Sequence, residues 1–144
     1  MGAIYFDSSA LVKLVVDERG SALAAQLWNG CDAALASPLA YVEVRAAIGA
    51  LHRNQVIDDR GLSRAERTWE ECWSGVRPVA LSPAVSRTAG ALAVRHSLSG
   101  ADAVHLASAV AIASIDPVMA VWDVRLHAAA GALGLKVAPL DCTT

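Results

Sequence analysis

Five short apolar runs limit what this chain can fold into more than any other feature. They are Ala3–Phe6 (AIYF), Ala33–Ala36 (AALA), Arg77–Ala80 (RPVA), Val118–Trp122 (VMAVW) and Leu135–Ala138 (LKVA). None alternates apolar with polar residues, which is the pattern of strands covered on both faces. Alanine inclines AALA toward helix, and the proline of RPVA suits a strand start or a sheet edge. Helical patterns separate the runs: Ser8–Val16, Ser21–Asn29, Pro38–His52, Ser63–Trp73, Pro83–Arg95, Gly100–Ser114 and Val124–Leu133. Ser37 followed by Pro38 reads as a cap and first helical residue, and Ser63 with Glu66 reads as a capping box. Gln55–Gly61 reads as the loop between two helices. Strands alternating with helices predict one α/β domain over residues 1–144, a short parallel sheet of about four to five strands with helices on both faces.

Composition agrees. Apolar residues make up 55% of the 144 positions and charged residues 18%, which excludes intrinsic disorder. Lys13, Asp17, Glu18, Glu43, Arg45, Asp102 and Asp116 interrupt every apolar stretch before it reaches the roughly 20 residues of a membrane span. The first residues carry no basic region and no cleavage site of a secretory leader, so a cytoplasmic protein without a membrane role is expected. Cys31, Cys72 and Cys142 fit neither a disulfide framework nor a zinc pattern and read as reduced thiols. The net charge of −2 does not by itself announce a nucleic-acid binder.

The carboxylates fall at informative places. In open α/β sheets, ligands bind outside the carboxyl ends of the strands. Asp7 ends AIYF and Asp123 ends VMAVW, although each also stands where a helix cap is wanted. On the predicted Pro38–His52 helix the apolar stripe runs Leu39, Val42, Ala46, Ala47, Ala50 and Leu51, and Glu43 sits on it. A carboxylate on a core-facing stripe is costly unless it is paired or bound to a metal. Arg45, two residues on, points elsewhere. Asp102 lies in the first turn of the predicted Gly100–Ser114 helix, where the helix dipole also favours it. Four such acids brought together cannot all ionise without cations. Hard divalent ions such as Mg²⁺ or Mn²⁺ match an all-oxygen set, and they activate water for attack on a phosphodiester.

The segments Asp7-Ser8-Ser9-Ala10-Leu11-Val12-Lys13-Leu14, Glu43 in its helix, Gly100-Ala101-Asp102-Ala103-Val104-His105-Leu106-Ala107 and Trp122-Asp123 resemble the PIN domain. Within that family the compact chain is similar to the VapC ribonuclease toxins of bacterial toxin–antitoxin pairs. The likeness runs from Tyr5 to Leu133 in the family's order. It implies a Mg²⁺- or Mn²⁺-dependent endoribonuclease with Asp7, Glu43, Asp102 and Asp123 as its acidic set, Asp7 and Asp102 being the most direct ligands. It also implies an RNA substrate, a homodimer and a cognate VapB-type antitoxin whose C-terminal segment enters the acidic groove. The family often has Thr or Ser two residues before the last Asp; this chain has Val121 there.

Other residues have plainer readings. Ser8 and Ser9 hydroxyls suit a phosphate or a metal water, or simply a helix start. Lys13 and Arg125 follow Asp7 and Asp123 closely enough to be candidates for phosphate contact, against a solvated helix charge. His105, one turn after Asp102, reads as a surface or core-edge histidine, since Mg²⁺ prefers oxygen. Trp69 and Trp73, four apart on one helix, read as core or as an anchor for a partner. Two other functions fit part of the pattern. A catalytically inactive PIN-like binding module would keep the fold. A phosphoacceptor signalling domain would place an Asp at a strand end, but it wants an acidic pair and a late lysine, and Lys136 is the only late lysine.

Overall fold

The computed structural model describes residues 2–142. Five strands form one sheet: β1 (Ala3–Phe6), β2 (Ala33–Ala36), β3 (Val76–Pro78), β4 (Val118–Ala120) and β5 (Lys136–Ala138). Their order is β3-β2-β1-β4-β5 and every pairing is parallel. Seven helices connect them: α1 (Ser8–Val15), α2 (Ser21–Gly30), α3 (Leu39–Arg53), α4 (Asp59–Ser74), α5 (Pro83–His96), α6 (Gly100–Ala111) and α7 (Val124–Ala132). β1 and β2 coincide with their apolar runs, β4 and β5 are shorter than theirs, and β3 starts one residue before its run and ends at Pro78. Pro78 lies on β3, at the sheet edge, where a residue without an N–H is tolerated.

Successive side chains of β1 point to opposite faces and found two cores. Ile4 and Phe6 pack with Leu11, Leu27, Val44, Ile48, Ala65 and Trp69, from α1 to α4. Tyr5 packs on the other face with Val85, Leu92, Leu106 and Leu126, from α5, α6 and α7. A parallel sheet buried on both sides explains why the strand runs lack polar alternation.

Two helix starts differ from expectation. α4 opens at Asp59, capped by Asp58, whose Oδ1 accepts the Gly61 amide at 2.8 Å. An aspartate is as good a cap as serine, so the helix takes up residues assigned to the loop and leaves Ser63 inside it. α3 begins at Leu39 rather than Pro38, yet Ser37 Oγ still accepts the Leu39 amide at 3.2 Å. On α3 the fully buried stripe is Ala40, Val44 and Ile48, while Val42 is 63% exposed. The alanine-rich helix offers several apolar stripes, and packing against β1, α1 and α4 selects this one.

The sheet order reverses direction at β1. Chain connections run outward from β1 to β2 and β3 on one side, and β4 returns on the other. The carboxyl ends of β1 and β4 therefore flank a topological switch point, the place where open α/β sheets form a crevice.

Candidate active site

Asp7 is the first residue beyond β1. Its amide continues the ladder by donating to Ala120 O at 3.2 Å, which fixes its backbone against β4. Its side chain caps α1: Oδ1 accepts the Ala10 amide at 3.0 Å and the Ser9 hydroxyl at 2.6 Å. Ser9 Oγ in turn accepts the Trp122 amide at 3.0 Å, so one hydroxyl ties Asp7 to the segment that leads into Asp123. Asp7 is only 3% exposed. Burial pushes its carboxyl up from 3.8 to about 6, against the opposing pull of His105, Ser9 and the Ala10 amide, and the charge of Asp102 adds to the rise.

Asp102 stands in the first turn of α6, held by the helix start: Ser99 caps the helix by accepting the Asp102 amide at 3.2 Å. Its carboxyl is raised by burial, then by the charge of Asp123, and further by Glu43; Ser99 and His105 oppose the shift. Asp123 caps α7 through the Leu126 amide at 2.9 Å and is exposed. Asp102 thus feels charge from Asp7, Glu43 and Asp123, and the four acids from four separate segments form one electrostatic cluster. As the side chains stand, no three His, Cys, Asp or Glu groups among the described residues converge as a ready metal cage.

Glu43 lies at the edge of the buried stripe of α3, with its side chain 28% exposed. Burial alone would raise its carboxyl. Hydrogen bonds from His105 and Ser8 outweigh that and hold it below the usual range. Ser8 Oγ donates to Glu43 Oε1 at 2.6 Å, and His105 Nε2 lies 2.6 Å from the same oxygen. Arg45 turns away to Glu66 and Glu70 on α4, as its spacing predicted.

His105 is the residue that sequence reasoning placed wrongly. It is 1% exposed, not at the surface or the core edge, and both ring nitrogens are engaged. Its position one turn after Asp102 is plain in the sequence, whereas nothing local marks its partner Tyr5, which sits inside the apolar AIYF run. The remaining candidates are held by the protein itself. Lys13 Nζ pairs with Glu18 at 3.0 Å and lies 5.3 Å above the Trp122 ring. Arg125 donates to Ser97 O at 3.1 Å. Val121, where a hydroxyl was expected from the resemblance, is fully buried in the second core. Lys136 opens β5, at the end of the sheet away from the carboxylates, and pairs with Asp116 at 2.5 Å. That removes the late lysine a phosphoacceptor domain needs.

The donor chemistry suits a hard divalent cation. All four ionisable groups are carboxylates, two are raised partly by mutual repulsion, and a cation among them would relieve that cost.

Comparison with known proteins bears on the family and the fold. A family profile described as the PIN domain matches residues 4–116. Ribonuclease VapC45 of Mycobacterium tuberculosis is 55% identical over 139 residues, covering 96% of each chain. Among solved structures, M. tuberculosis VapC20, described as a sarcin–ricin-loop-cleaving toxin, superposes with a TM-score of 0.66 at 20% identity, covering 88% of this chain and 94% of that one. VapBC2 from Rickettsia felis, solved on a DNA fragment from its promoter, superposes with a TM-score of 0.65 at 8% identity, covering 94% and 96%.

Proposed function

Since the chain belongs to the PIN-domain family, as a VapC-type ribonuclease toxin, we propose that Asp7, Glu43, Asp102 and Asp123 are its catalytic carboxylates and act with Mg²⁺ or Mn²⁺ in hydrolysing RNA phosphodiester bonds. The observation that carries this reading is the cluster itself. A carboxylate 3% exposed is held at the switch point of the sheet and is coupled by charge to Asp102, which is coupled in turn to Glu43 and Asp123. Asparagine would cap α1 as well, so folding alone does not reward the charge of Asp7 beside Asp102, and such conflicts between stability and charge concentrate at functional sites.

Asp7 and Asp102 are the residues that would hold the cation most directly, with Glu43 and Asp123 completing the set. Bound there, such an ion would lower the pKa of a water and offset the negative charge that develops on the phosphoryl oxygens. The chain's own contribution is orientation. Ser9 and the Ala10 amide fix Asp7 through Oδ1, the capped start of α6 fixes Asp102, and Ser8 with His105 fixes Glu43. Asp123, exposed at the start of α7, lies on the side open to substrate. For substrate contact, Lys13, Arg125 and Ser8 would each have to give up an internal partner, so phosphate contact by them comes second to positioning in this reading.

The same reading supplies partners: an RNA substrate, a second copy of the chain, and a VapB-type antitoxin, the last supported by the shared fold with the toxin–antitoxin complex VapBC2. Incubating total bacterial RNA with the purified protein in Mg²⁺, in Mn²⁺ and in EDTA tests the activity. Discrete fragments that require metal and vanish with Asp7→Asn are the expected result. Equal cleavage by a folded Asp7→Asn protein would remove Asp7 from the chemistry.

A further inference from the structure

A line of hydrogen bonds runs through His105. The Ser37 amide can only donate, and it does so to Tyr5 Oη at 3.1 Å. Tyr5 is fully buried, which keeps it a neutral phenol, and its hydroxyl meets His105 Nδ1 at 2.8 Å. On the far side of the ring, Nε2 lies 2.6 Å from Glu43 Oε1. An ionised carboxylate only accepts, so Nε2 must carry the hydrogen; in the neutral ring Nδ1 then accepts from Tyr5, whose hydroxyl also bonds with Ser108. Ser8 Oγ completes the line by donating to the same Oε1 at 2.6 Å, with Nε2 a further 3.2 Å from that hydroxyl. Among the described residues, Glu43 Oε2 takes no hydrogen bond.

The line joins β1, α1, α3 and α6, the elements that carry Asp7, Glu43 and Asp102. A histidine kept only for packing needs neither this link nor a partly exposed carboxylate at its end. Resting on the divalent-metal reading above, we infer that His105 is a positioning residue. Set as its Nε2–H tautomer by Tyr5, it pins Glu43 through Oε1 and keeps Oε2 for the cation or its water shell. Tyr5 and Ser8 belong to the same device, Tyr5 by fixing the tautomer and Ser8 by sharing Oε1. Partners of this kind beyond the ligands orient them, and removing one typically weakens metal binding 10- to 100-fold.

The test uses the full-length, metal-free protein and Mn²⁺ as the probe. ¹⁵N NMR of the His105 ring should show Nε2 protonated and Nδ1 free. Tyr5→Phe, which loses one hydroxyl and keeps the ring, should mix the tautomers and weaken Mn²⁺ binding, read by paramagnetic resonance titration, by about tenfold. His105→Leu should weaken it at least as much, and His105→Gln, which restores an N–H donor, should recover part of the loss. An Nδ1–H tautomer in the wild type overturns the inference, as does wild-type Mn²⁺ affinity in folded Tyr5→Phe and His105→Leu proteins. Should His105→Leu fail to fold, Tyr5→Phe and the tautomer decide alone. A wild-type protein that binds no Mn²⁺ overturns the metal reading and this inference with it, whereas Mn²⁺ binding indifferent to Tyr5 and His105 overturns only the positioning.

Discussion

Asp7 caps α1 through Oδ1 while lying buried at the end of β1, so the same side chain serves a helix start and crowds its charge against Asp102. Asparagine caps as well as aspartate and keeps Oδ1, so Asp7→Asn removes the charge and leaves the local structure. The sign of the pH effect follows from the raised carboxyl. With a folded value of about 6 above the usual 3.8, the stabilising contribution is full below pH 3.8 and is lost as pH rises through about 6. In EDTA at neutral pH, Asp7→Asn should therefore be more stable than wild type, by on the order of 2–3 kcal/mol, or several degrees in Tm. The gap should close as pH falls toward 4. Melting curves of both proteins across pH 4–8 check this, and a variant less stable than wild type at pH 7.5 would contradict it. Gain of stability with loss of cleavage is the trade expected where a buried charge is kept for chemistry.

At the scale of elements, the α3–α4 hairpin carries Glu43 and owes its packing to aromatic rings. Trp69 is fully buried, tilted against Tyr41 with ring centroids 6.1 Å apart and against Trp73 at 5.5 Å. Tyr41 also donates to Glu70, and Arg45 bridges Glu66 and Glu70, which fastens the outer side of the pair. Those ion pairs are exposed and contribute little, so the rings decide the stability of the hairpin. Trp69→Ala should cost about 3–5 kcal/mol in urea unfolding. Trp69→Phe should cost far less, because the indole Nε1 is buried without a partner and its loss removes an unmet donor. A Trp69→Phe cost as large as that of Trp69→Ala would contradict this account. A second element contact bears on the site from the other side. Gly20, with φ of 90°, precedes α2, and a Cβ there would lie 2.7 Å from Trp122 Nε1. The turn brings α2 close under the residue that precedes Asp123.

For the whole molecule, the arrangement of the sheet makes the four acids unequal. Asp102 is coupled to each of the other three, whereas Asp123 is exposed at the rim. A ligand that binds only the folded state raises stability by mass action, by about 2.7 kcal/mol at 100 times its Kd. Mn²⁺ should therefore raise the melting temperature of the wild type. Asp102→Asn should abolish most of that rise, and Asp123→Asn should spare part of it. Equal losses in the two variants would mean that the cluster has no centre. No helix among the described residues is long and apolar enough to cross a membrane.

The amino-acid sequence by itself determined the parallel α/β layering, because strands buried on both faces must be continuously apolar and are recognised by that alone. It also marked Asp7 and Asp123, since a strand end followed by a helix cap is a local pattern, and Glu43, since a carboxylate beside an apolar stripe is costly wherever it occurs. The tertiary structure decided which stripe of α3 faces inward, because an alanine-rich helix leaves several equivalent. It decided that Lys13 and Arg125 are tied to Glu18 and Ser97. Above all it decided His105: its partners are Tyr5 and Glu43, 100 and 62 residues away along the chain. No periodicity or local motif encodes a hydrogen bond across such distances. It exists only once β1, α3 and α6 pack against one another at the switch point of the sheet.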